Sequence, residues 1–226
     1  MKQKLTIFSA FLIAGLSVPS NAQDAAAEAP AEAKVTKMTF DDLEVGDVSD
    51  EVAFVIDGSF SVVAKDGGGK LLQAAASPLA ESGALVGENL LGDVSVSAKV
   101  HATKRGRSFP RFGVGTHGMS GYRLRVVPSK RVVELVYREQ TVAEAPFTWE
   151  SDKWYNLKLT VSKTGEDSWK ISGKAWQDGT EEPEEDSISH ENTGLRGKGK
   201  SSVWGTPYSG TAISFDDLEI KGALAP

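Results

Sequence analysis

Val94-Ser-Val-Ser-Ala-Lys-Val-His-Ala102 alternates apolar with polar residues without a break. A period of two places every apolar side chain of such a stretch on one face of an extended chain. The same alternation recurs in Arg111-Phe-Gly-Val-Gly-Thr116, Tyr122-Arg-Leu-Arg-Val-Val127 and Arg131-Val-Val-Glu-Leu-Val-Tyr137. It returns in Trp154-Tyr-Asn-Leu-Lys-Leu-Thr-Val161 and Trp169-Lys-Ile-Ser-Gly-Lys-Ala-Trp176. Turn-forming segments separate the runs: Asp66-Gly-Gly-Gly69, Pro128-Ser-Lys130, Lys163-Thr-Gly-Glu-Asp167 and Gln177-Asp-Gly-Thr180. Short strands at roughly ten-residue spacing with this punctuation predict an all-β sandwich or barrel. No stretch carries a convincing helical period, although Pro78 to Val86 has room for one turn.

Working outward, Phe40-Asp-Asp-Leu-Glu44 near the start recurs as Phe215-Asp-Asp-Leu-Glu219 near the end. The pattern predicts similar surroundings for the first and last strands, lying side by side. Phe40, Leu43, Phe215 and Leu218 would then point inward, with a bulge absorbing the doubled acid. Before this domain, Gln23 to Lys37 is rich in Ala, Glu and Pro and has few large apolar residues, so it reads as a solvated linker. At the N-terminus, a basic start (Lys2, Lys4), an apolar run from Leu5 to Leu16 and Ser20-Asn21-Ala22 form the pattern of a signal peptide cleaved after Ala22. The apolar run is too short to span a bilayer. The expected organisation is a leader over 1–22, a linker over 23–37, one domain over 38–222 and a tail over 223–226.

The chain has 25 Lys and Arg against 31 Asp and Glu, net −6, and loss of Lys2 and Lys4 with the leader would take it to −8. That balance argues against nucleic acid and against anionic membrane surfaces as partners. There are no cysteines. An exported, cysteine-free chain of this length builds its own core without disulfides, which suits a bacterial periplasm or cell surface.

Several segments carry a resemblance to the concanavalin A-like lectin/glucanase superfamily. More narrowly, the chain resembles the laminin-G-like and 3-keto-disaccharide hydrolase-type domains of exported bacterial proteins. The segments are Asp57-Gly-Ser-Phe60 with Lys70-Leu-Leu-Gln73, Gly113-Val-Gly115 with Gly121-Tyr-Arg-Leu124, and Lys153-Trp-Tyr-Asn-Leu157. Gly173-Lys-Ala-Trp176, Gly194-Leu195 and Phe215-Asp-Asp-Leu-Glu-Ile220 complete the set. The resemblance spans Met38 to Lys221 and implies a two-sheet antiparallel jelly-roll sandwich. It also implies a glycan groove on one sheet, and it makes a structural calcium plausible near the clustered Asp41, Asp42, Asp216 and Asp217.

The catalytic signature of the superfamily's retaining glucanases is Glu-x-Asp-x-x-Glu, in which two carboxylates flank one glycosidic bond. The nearest run, Glu181-Glu-Pro-Glu-Glu-Asp186, contains Pro183, and position 189 is Ser, so those roles do not transfer. The run reads as a solvated acidic loop. His101, His117 and His190 lack zinc spacing. What remains is a polar strand face: Lys99, His101, Arg111, Arg123, Arg125, Glu134, Arg138 and Lys158 share one side by alternation. Arg and Glu can bond sugar hydroxyls, and Arg can bond uronate or sulfate, while an exposed aromatic stacks on a pyranose. The expected ligand residues are Arg111, Arg123, Arg125, Glu134, Arg138 and Trp176, with Trp204 and Tyr208 as further aromatics. The expected function is non-catalytic glycan binding. A glycoside-acting enzyme using Glu134 or His101, or a structural or protein-interaction module, are the alternatives.

Overall fold

A computed structural model describes residues 33–77, 80–195 and 197–225. The leader expected over 1–22 and most of the linker lie outside the described residues. Fifteen antiparallel strands follow in chain order. They are β1 (Lys34–Met38), β2 (Gly46–Asp47), β3 (Ala53–Asp57), β4 (Phe60–Ala64) and β5 (Lys70–Ala74). Next come β6 (Ser82–Ala102), β7 (Arg111–Gly115), β8 (Tyr122–Val127), β9 (Val132–Tyr137) and β10 (Gln140–Pro146). The last five are β11 (Lys153–Lys163), β12 (Ser168–Gln177), β13 (Ile188–Thr193), β14 (Lys198–Thr206) and β15 (Ile213–Leu224). No described residue is helical.

The strands make two layers joined through β6. Its first half pairs with β14 and β3, and its second half with β11 and β15. The change of partners falls over Gly87–Gly92, where both glycines have positive φ (71° and 74°), a conformation that costs glycine little. The first layer runs β10-β9-β8-β7-β14-β6-β3, and the second runs β13-β12-β11-β6-β15-β5-β4-β2, with β1 also beside β15. β11 packs face to face on β7 and β8, and β13 on β9 and β10. The alternation predicts an all-β sandwich or barrel, and this is the two-sheet jelly-roll sandwich that the resemblance implies.

Alternation also decides what fills the space between layers. Val94, Val96, Ala98 and Val100 of β6, Leu157, Leu159 and Val161 of β11, and Leu124 and Val126 of β8 are buried together. Gly173 of β12 sits where a Cβ would lie 2.4 Å from Leu124 Cδ1 across the sandwich, so the absent side chain sets the local spacing between layers.

The terminal strands are neighbours: β1 pairs with β15 from Lys34↔Gly222 to Met38↔Leu218. Phe215 and Leu218 are both buried, and the register shifts between Asp216 and Glu219, a bulge that takes up the doubled acid. The first copy of the motif behaves differently. Residues 40–43 form a turn closed by the Leu43 N–H donating to Phe40 O (3.1 Å), although Phe40 is buried. Two boundaries shift. Residues 34–37, assigned from composition to the linker, are strand, because β15 offers them a free ladder edge. The tail begins after Leu224 rather than after 222, since β15 continues along β6. Ser82 to Val86, given room for a helical turn, is strand as well, drawn into the ladder by β14 and β3.

Candidate functional site

The polar residues that alternation grouped on one face are divided between the two solvent faces of the sandwich. Alternation assigns a residue to a face of its own strand, but only strand order says which layer that strand belongs to. Lys99 and His101 of β6, Lys158 of β11 and Trp176 of β12 lie on the outside of the second layer. Arg111, Arg123, Arg125 and Glu134 lie on the outside of the first. Arg138 is on neither face. With Glu139 it forms the turn between β9 and β10, both residues at positive φ, and its guanidinium lies over the Tyr137 ring.

The outer face of the second layer carries a groove of about 520 Å³. Register explains its shape. The central strand β6 contributes small residues to the floor: Ser95, Ser97 and Ala98. Ser97 stands opposite Lys158 on one side and Glu219 on the other, and Ser95 opposite Thr160 and Lys221. Short side chains in the middle and long ones on both flanks leave a trough. Trp176, half-buried, stands beside Asn156 on the β12 flank. The Asn156 side-chain amide donates to Asp178 (3.1 Å), and the hydroxyls of Ser95 and Thr160 are 3.3 Å apart.

The acidic run is not simply solvated. Residues 178–186 fold back along this face. Lys158 donates to Glu182 (3.0 Å), Lys174 to Glu182 (3.1 Å), and Lys170 to Asp186 (2.7 Å). Lysines at alternate positions of β11 and β12 pull the loop down, and Glu182 becomes part of the groove wall. Burial pushes the Glu182 carboxyl up, but hydrogen bonds from Lys158 and Lys174 outweigh it, and the net displacement is below the ordinary glutamate range. No motif flagged this contribution. The signal was the match between an acidic run and the lysine spacing of the preceding hairpin.

The outer face of the first layer is filled rather than grooved. Glu134 has a side chain 1% exposed and accepts from Arg125 Nη2 (2.8 Å), Arg125 Nε (3.2 Å) and Lys130 Nζ (2.8 Å). Burial raises its pKa, and the hydrogen bonds from Lys130 and Arg125 lower it by more, so Glu134 stays ionised below the usual range. A general acid needs the opposite displacement. Arg123 stacks 3.4 Å from the centre of the Trp204 ring and donates to Glu139 (2.7 Å) and Glu81 (3.4 Å). Trp204 is therefore covered, not free to stack on a sugar. His101 is 3.1 Å from Asp152 on the opposite face of the molecule, so Glu134 and His101 cannot act on one bond.

The aspartates expected to gather around calcium do not fit it. Asp216 accepts from Lys65 (2.7 Å), Asp217 from Lys99 (3.0 Å), and Asp41 Oδ1 from the backbone N–H of Lys70 (2.7 Å). Lysines neutralise the pair on β15. Among the described residues no group of three or more His, Asp or Glu side chains could hold a metal ion.

No family model and no curated protein matches the sequence. Solved structures match it by fold. Lectin I-B4 from Griffonia simplicifolia, in its metal-free form, gives a TM-score of 0.54 at 10% identity, over 82% of this chain and 98% of that one. A mutant alginate lyase in complex with an alginate tetrasaccharide gives 0.51 at 10%, over 85% and 98%. The carbohydrate recognition domain of Emp47p gives 0.50 at 6%, over 82% and 94%. The chain thus shares the jelly-roll fold of lectins. At such identities the likeness extends to the fold alone.

Proposed function

We propose that this chain is an exported, non-catalytic carbohydrate-binding domain whose ligand lies in the groove on the outer face of the second layer. The observation that carries the reading is the lining itself. One aromatic wall residue, Trp176, stands beside a floor of hydroxyl and amide groups (Ser95, Ser97, Thr160, Asn156), with charged side chains at the edges. A pyranose presents an apolar face and an equatorial belt of hydroxyls, and this combination answers both. The depressed pKa of Glu182 favours binding over acid catalysis, because a carboxylate held ionised accepts from hydroxyls and does not protonate a leaving group.

The test is a glycan-array screen of the protein, followed by calorimetry of the best hit against Trp176→Ala. The expected result is a saturable hit on one sugar class that weakens roughly tenfold or more in the variant. A blank array, or unchanged affinity in the variant, refutes the assignment.

A further inference from the structure

The groove on the second layer is walled off at one end and open at the other. Strand register sorts its surroundings into rows that cross the sheet. The first row is Trp176 of β12, Asn156 of β11 and Lys99 of β6, with Asp216 of β15 opposite Lys99. The second is Lys174, Lys158, Ser97 and Glu219, and the third is Ser172, Thr160, Ser95 and Lys221.

The first row is bridged from flank to flank. The Asn156 amide donates to Asp178 (3.1 Å), and Lys99 reaches both Asp178 (3.4 Å) and Asp217 (3.0 Å). Asp178 is also anchored at its backbone, where its N–H donates to Trp154 O (2.9 Å). Asp217 comes to this face through the bulge of β15, in which it takes a φ of 45°. An isolated surface ion pair contributes little, but a cation held between two placed carboxylates is a network. The hydrogen bond from Lys99 to Asp217 outweighs the effect of burial and raises the lysine pKa, so the bridge stays charged at neutral pH.

Among the described residues no ion pair crosses the third row, where the Ser95 and Thr160 hydroxyls lie 3.3 Å apart. A hollow of about 300 Å³ shares Ser95, Thr160 and Lys221 with the groove and continues it to Ser162, Asp93 and Gly222. From the first row to the third is about 13 Å along β11 at the ordinary rise of a strand. A chain lying on this axis can leave over Ser95 and Thr160, but beside Trp176 it meets the Lys99 bridge. A sugar inside a chain is bonded to a neighbour on both sides. A terminal sugar carries a free hydroxyl on one of them, and Asp217, which lines the groove at the bridge, can accept from it.

We infer that the groove takes the end of a glycan chain and not its interior. The terminal sugar lies between Trp176 and the Lys99 bridge, and the rest of the chain leaves past Thr160. This rests on the reading of the groove as the glycan site.

The experiment measures binding of a soluble glucan, mannan, xylan, galactan and polyuronate, each intact and after partial acid hydrolysis, by calorimetry against polymer mass. Hydrolysis multiplies chain ends and leaves composition unchanged. For the polysaccharide that binds, a roughly tenfold rise in ends is expected to lower the half-saturating mass concentration roughly tenfold. Borohydride reduction of the cut chains opens the ring at the reducing end. Lost binding then assigns that end and retained binding the other, and either supports the inference. Lys99→Ser extends the serine floor by one row and removes the bridge, so the advantage of cut over intact chains is expected to shrink to under about threefold. Binding that follows mass and ignores the number of ends overturns the inference and leaves the groove assignment standing. An undiminished advantage in Lys99→Ser also overturns it. Binding to none of the five polymers in either form, or end binding that survives Trp176→Ala, removes the groove assignment and the inference with it. The comparison of cut with intact chains uses the unaltered protein and does not depend on any variant folding.

Discussion

Replacing Glu134 by Gln tests the energetics of the filled face. Glu134 is buried against two cations that are not: the Arg125 side chain is 21% exposed and that of Lys130 56%. A hydrogen bond to a charged partner contributes about 1.5–3 kcal/mol. The Lys130 bond is largely screened by water, which reduces its share to about 0–1 kcal/mol. The Gln oxygen can still accept once from Arg125, but its amide turns a donor towards Lys130. Outright loss of a fully buried pair costs about 3–5 kcal/mol, and here both stranded cations keep contact with solvent. The expected loss is therefore about 2–3 kcal/mol, or about 4–12 °C in Tm for a domain of this size. The direction of the Glu134 shift adds a pH signature. Its folded pKa lies below the unfolded value, so the stabilisation is present above the ordinary glutamate range and disappears as pH falls through the folded pKa. Urea unfolding followed by tryptophan fluorescence, at neutral and at acidic pH, measures both effects. A loss under about 0.5 kcal/mol at neutral pH, or a wild-type-to-variant gap that does not narrow in acid, refutes this account of the cluster. A cycle with Arg125→Met isolates the pair: the double variant should be less destabilised than the sum of the single changes.

Two further predictions concern the scaffold. Gly173→Ala drives a methyl to within 2.4 Å of the fully buried Leu124 Cδ1 and 3.0 Å of Ile188 Cγ2, and is expected to cost about 1–3 kcal/mol, and less than that when introduced into a Leu124→Ala background. Equilibrium denaturation reads it, and a change within experimental error would mean that the layers are not in contact there. His117, buried in the turn after β7, donates from Nε2 to Gly92 O (3.1 Å), and the Thr116 hydroxyl donates to its Nδ1 (3.3 Å). Burial lowers its pKa and the Gly92 bond only partly offsets this, so the folded protein takes up that proton less readily than the unfolded chain. Stability should fall as pH drops below the ordinary histidine value of 6.5 towards the lowered one. His117→Asn tolerates the positive φ of 61° and should flatten that limb. Identical urea midpoints against pH in both proteins would remove His117 as its source.

Periodicity along the chain was enough to locate β7, β8, β9, β11 and β12 to within about two residues and to orient their inward faces. Side-chain direction in a strand is a local property of the pleat. The repeated Phe-Asp-Asp-Leu-Glu likewise announced adjacent terminal strands and a bulge in β15, since two successive acids cannot share a half-buried strand without an extra residue. Other features depended on partners distant in sequence. β1 is strand because β15 offers it an edge, not because Lys34-Val-Thr-Lys-Met38 announces one. Arg111 and Lys158 look equivalent by alternation, yet one sits among arginines on the first layer and the other walls the groove on the second. The groove exists because Ser95 and Ser97 fall in register between longer side chains of β11 and β15, and because an acidic loop meets a row of lysines. Composition and alternation thus determine the all-β class and the inward faces, since those are set residue by residue. Which polar residues meet, and whether they leave a trough or fill one, is decided by strand order and register, which only the folded chain possesses.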